Sequence, residues 1–210
     1  MTFRNRVSRF IKRNEGAVIV EFALVITLFL FIFFAMLDFG RLMYQTTLSE
    51  KATYIAARTA IVRPAACSNV PERHVLGTVP TGQTIPRFGT SCRSNASACQ
   101  AVAPISCNGI ATNATANEIW TRIEPMLPPD ATIDNLQFTY RFDPNLGFLG
   151  GPYTPMVTVA LNLPDFDFVS ALSLLSAAIA DGGDSLGASA GFADFSVTLP
   201  SEDLNSGENG

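Results

Sequence analysis

"KRNEGAVIVEFALVITLFLFIFFAMLDFGR", residues 12–41, decides how the chain is organised. A basic flank ends at Gly16. From Ala17 to Leu37 the chain is apolar except for one charge, Glu21, and one hydroxyl, Thr27. Roughly 20 apolar residues span a bilayer core as a helix. The helix of a globular domain keeps one side wet, and "VITLFLFIFFAML" has no polar side to offer. The stretch therefore reads as a membrane span rather than a core helix. Glu21 is the anomaly, because a carboxylate within lipid costs ~2.5–3.5 kcal/mol or more unless it is paired.

Charge gives the span a direction. Arg4, Arg6, Arg9, Lys12 and Arg13 against Glu15 give residues 1–16 a charge of +4. The whole chain carries −4, so residues 17–210 carry −8. A basic flank marks the cytoplasmic side of a span, which places the acidic bulk across the membrane. A short basic flank on an acidic chain does not point to nucleic acid. The apolar run is full span length and no Ala-x-Ala follows it, so a cleaved secretory signal fits poorly.

The four cysteines, Cys67, Cys92, Cys99 and Cys107, all follow the span and contain no C-x-x-C. With His74 as the one histidine, a Cys/His zinc site is not expected, and no metal or other cofactor is. Disulfides suit an oxidising compartment. Four cysteines allow three pairings, of which the nested one, Cys67–Cys107 around Cys92–Cys99, is favoured narrowly over the sequential one.

After the span, "DFGRLMYQTTLSEKATYIAARTAIVRP" (38–64) keeps helical spacing up to Pro64. One helix over residues 17–63, roughly 70 Å long, is expected. Its alanine-rich end either packs on its own domain or receives a partner. Asp38 and Arg41 are spaced to pair across one turn, as an interfacial stop or as a partner contact. Residues 64–113, rich in Pro, Gly, Ser, Asn and Cys, read as irregular loops stapled by the disulfides. "NATANEIWTRIEPMLP" (113–128) reads as a short capped helix. "TIDNLQFTYRF", "PMVTVALNLP" and "FADFSVTLP" alternate with period two, the pattern of half-buried antiparallel strands. "DFDFVSALSLLSAAIADGGD" (165–184) suggests a helix too short to span, covering the sheet or touching a membrane or partner. The fold class expected is α+β: a basic leader at 1–16, a transmembrane and stalk helix at 17–63, and a small domain with an antiparallel sheet at 64–210.

The order basic leader, Gly16, small apolar residue, then Glu21-Phe22 resembles the prepilin peptidase site of type IV pilin-like proteins. The longer stretch from Glu15 through the "DFGR" exit (Asp38, Phe39, Gly40, Arg41) to "ATYIAARTA" resembles the TadE-like pseudopilins of tight-adherence (Flp) pilus machines. That resemblance implies cleavage between Gly16 and Ala17 by a prepilin peptidase on the cytoplasmic side. It also implies pilin-like subunits and tight-adherence machinery as partners, an inner-membrane location with the bulk in the periplasm, and a structural role rather than an enzymatic one. The residue chemistry agrees. Gly16 lets a peptidase approach the backbone closely. A cut there creates an α-amine on Ala17, and Glu21 lies one helical turn away on the same face. Glu21 either pairs with that amine, within its own chain or in a neighbour, or snorkels to the headgroups. Two other readings remain, a type II secretion pseudopilin and an uncut anchored periplasmic binding protein or enzyme.

Catalytic chemistry is not evident. His74 sits in a Pro/Gly-rich loop and is expected to be exposed, with no second histidine to build a triad. The acid pairs Asp165/Asp167 and Glu202/Asp203 read as solvated, and "DGGDS" (181–185) lacks the calcium-loop pattern.

Overall fold

The computed structural model describes residues 17–168, 189–202 and 204. The leader with Gly16, most of the apolar segment at 165–184, the "DGGDS" stretch, Asp203 and residues 205–210 lie outside the described residues.

Helix α1 runs Ala17–Ala60, in one piece and three residues short of the expected end. Leu, Ile, Phe and Ala tolerate a helix, and the first proline after the span is Pro64, so nothing breaks the ladder earlier. Thr27, the hydroxyl of the apolar run, donates to the Ala23 carbonyl at 2.7 Å. Its polar group is thereby satisfied inside the helix, as lipid requires.

The chain divides into two compact units, Met1–Tyr44 with Asp165–Gly191, and Gln45–Pro164 with Phe192–Gly210. The second unit carries a four-stranded antiparallel sheet in the order β1 (Ile105–Asn108), β2 (Leu136–Arg141), β3 (Met156–Leu161), β6 (Phe195–Pro200). Period-two alternation puts Leu136, Phe138 and Tyr140 of β2 and Val157, Val159 and Leu161 of β3 on the buried face. Cross-strand pairs such as Phe138 with Val159, and Val159 with Val197, continue that face into β6. Helix α2 (Ala114–Ile123) contributes Ile119 and Ile123 to the same core. Asn113 caps it by accepting from the Ala116 N–H at 2.9 Å. Two short strands, β4 (Phe166–Asp167) and β5 (Ser189–Ala190), pair with each other in the first unit.

The α+β expectation holds. Two details differ from the sequence reading. Residues Ile133–Asn135 form a 3-10 turn, so β2 starts at Leu136. And β1 arises inside the stretch read as loops: "ISCN" is too short to show a period, and it becomes a strand because β2 offers it an edge.

Candidate functional site

The site expected from the sequence is the amino-terminal part of α1. Ala17 is its first described residue, so the Gly16–Ala17 bond lies at the edge of what is described. Glu21 is exposed, in a surface where Val18, Ile19, Phe22 and Leu24 are each more than 60% exposed. An apolar helical surface this wide needs a cover, lipid or other helices. Among the described residues Glu21 has no ion pair.

At the far end of the apolar run the "DFGR" residues come together with a segment from over 120 positions later. Arg41 donates to Asp38 at 3.3 Å across the expected i, i+3 spacing. Asp38 is buried although it stands on a largely exposed helix. The Arg41 guanidinium lies 5.4 Å over the ring of Phe166 in β4, a cation–π contact. Phe39 packs on Phe168 at 5.7 Å. Gly40 has open space where a Cβ would stand.

The alanine-rich end faces inward. Ala52, Ala56, Ala57 and Ala60 are fully buried in the core with Ile119, Ile123 and the β2 side chains. The small side chains let α1 approach its own domain closely, so the domain-packing reading holds for the alanines. The outward side carries Lys51, Tyr54, Arg58 and Val62. Beyond α1, Arg63 and Arg122 both donate to Glu118 Oε1, at 3.1 Å and 2.6 Å, tying the helix exit to α2.

Two disulfides are formed, Cys67–Cys107 and Cys92–Cys99, the nested arrangement. The first staples the exit of α1 to β1 inside the main core. The second lies in a separate small cluster with Ala98 and Leu149. His74 corrects the sequence reading: it is buried, not exposed. The turn at 147–153 laces the long loop down, with the His74 N–H donating to the Gly151 carbonyl and the Gly150 N–H donating back, both at 2.9 Å. The ring meets Phe142 edge-on and Tyr153 at a tilt, and its Nε2 accepts from the Thr154 N–H at 3.3 Å. Gly147 has φ +76, and a Cβ there would collide with this ring. Burial pushes the imidazole pKa down. A ring nitrogen of His74 and the sulfurs of Cys92 and Cys99 lie within 4.8 Å of one another. Both sulfurs are bonded to each other, so the group is a disulfide with a neutral histidine beside it rather than a ligand set for a metal.

The family model for TadE-like proteins matches residues 16–58. The expected resemblance holds over that stretch. The TadE-like segment begins at Gly16, contains Glu21, Phe22 and the Asp38–Arg41 exit, and ends within the buried alanines. It is therefore α1 almost entire, and the sheet domain lies beyond it. No curated protein and no solved structure matches the chain.

Proposed function

We propose that this protein is a pseudopilin of a tight-adherence (Flp) pilus assembly machine. Its leader, residues 1–16, stays in the cytoplasm and is removed after Gly16 by a prepilin peptidase. Residues 17–63 form the transmembrane and stalk helix, and residues 64–210 the periplasmic domain. It acts by packing rather than by catalysis. The new α-amine on Ala17 pairs with Glu21 of a neighbouring subunit, which neutralises two charges in lipid and sets the axial register between helices. The outward face of α1 with Tyr54 and Arg58 remains open for docking.

The observation that carries this reading is the TadE-like match from Gly16 onward, over a helix whose apolar surface is bare around Glu21, a carboxylate with no ion pair among the described residues. The match supports association with the pilus machinery, and the Gly16–Glu21 spacing supports the processing step. The test is the amino terminus of the native chain from cells that express the peptidase. It should begin at Ala17, and Gly16→Ile should accumulate as precursor. Native protein that still begins at Met1 would sink the processing step and return the uncut anchored alternative.

A further inference from the structure

Strands β4 and β5 interrupt the chain between β3 and β6, yet among the described residues they pair with each other and not with the four-stranded sheet. They group instead with the amino-terminal part of α1. In an extended strand, residues two apart share a face. Phe166 and Phe168 form that face, their rings 5.5 Å apart, and they meet Arg41 and Phe39 of α1. Asp165 and Asp167 occupy the other face and are exposed. Strand β4 with its flanking residues is thus two-sided, aromatic toward the helix exit and acidic away from it.

Its position along α1 is set by helix length. Residues 17–37 rise roughly 32 Å, close to the ~30 Å thickness of a hydrocarbon core. Given the anchoring proposed above, on which this inference rests, Asp38–Arg41 reach the headgroups as α1 leaves the bilayer. Phe39 lies about 3 Å past Leu37. Arg41 is matched by Asp38 beneath Phe166, so no bare charge faces the hydrocarbon edge.

We propose that Phe39 and Phe168, backed by the buried Phe166, form an aromatic collar that lies in the bilayer interface where α1 emerges, with Asp165 and Asp167 kept on its wet side. The partner is a lipid surface, met through its acyl–headgroup boundary. Two exposed carboxylates disfavour anionic headgroups, so the collar suits an uncharged interface. It fixes the depth of α1, because sliding inward would carry the two carboxylates toward lipid.

The test uses the full chain in phosphatidylcholine vesicles, with the native indole removed by Trp120→Phe. F33W places an indole within the span and F168W one in the collar. The F168W indole should be quenched severalfold by lipids brominated near the headgroup, more than by lipids brominated deep in the chains. The F33W indole should show the reverse preference. If F33W is quenched and F168W is not, the collar is overturned and the anchoring stands. If F33W is not quenched, both fall. In the unsubstituted chain in nanodiscs, a headgroup spin-labelled lipid should broaden the Phe168 amide resonance. A sharp Phe168 resonance overturns the collar even if F168W fails to fold.

Discussion

The Ala66 N–H donates to the Tyr140 hydroxyl at 2.9 Å, joining the turn that follows α1 to the middle strand pair of the sheet. The two residues are 74 positions apart, and both are buried. The adjacent Cys67–Cys107 disulfide fastens the same turn to β1. Together they fix how the stalk end of α1 enters its own domain.

Burial raises the Tyr140 phenol to about 12, with the Ala66 hydrogen bond acting in the opposite direction. A folded pKa above the unfolded value of 10.0 contributes stability that is complete below pH 10. That contribution is lost as pH rises toward about 12, in total about 3 kcal/mol. Urea denaturation followed by Trp120 fluorescence should show this decline. Tyr140→Phe should be less stable at pH 7 by about 1–3 kcal/mol, since it leaves the Ala66 N–H unpartnered. It should also lose much of the decline above pH 10.

The two disulfides should differ in what they contribute. Cys67–Cys107 closes 40 residues and Cys92–Cys99 closes 7. Chain entropy assigns about 4 kcal/mol to the first and about 2 kcal/mol to the second. Paired Cys→Ala substitutions, compared by urea midpoint in the full chain, should keep that order. The reverse order would mean that the native-state environment of the small cluster outweighs loop size.

Ala56 is fully buried where α1 meets the domain core. Ala56→Leu should therefore destabilise by about 1–3 kcal/mol through overpacking. Arg58→Ala, on the exposed side, should stay within about 0.5 kcal/mol. Equal effects in the same denaturation assay would contradict the inward placement of the alanines.

Glu21 should matter for assembly and not for cutting. Glu21→Val removes the carboxylate while keeping the helix apolar. The chain should still begin at Ala17 in mass spectra, but its recovery with pilin-like subunits from detergent extracts should fall at least tenfold. Undiminished recovery would remove the amine–carboxylate pairing from the mechanism.

Much of the fold was legible from local pattern. Twenty-one residues with one charge could be satisfied only as a helix in an apolar setting, and alternation along 136–142, 156–161 and 195–200 marked one face of a sheet. β1 was not legible, because four residues carry no measurable period and their strand state depends on the β2 edge. His74 was misread because its burial comes from residues 147–154, far off in sequence, and Gly147 was the available signal of a close approach.

The sequence by itself determined the long apolar helix, the spacing of Gly16 and Glu21 along the chain and the α+β class, because periodicity and charge are properties of neighbouring residues. Only the tertiary structure decided that the alanines of α1 face their own domain, that His74 lies buried beside a disulfide, and that Phe166 and Phe168 return to Arg41 and Phe39. Those outcomes depend on which distant surfaces meet, and contact between distant segments is set by packing of the folded chain rather than by any local pattern.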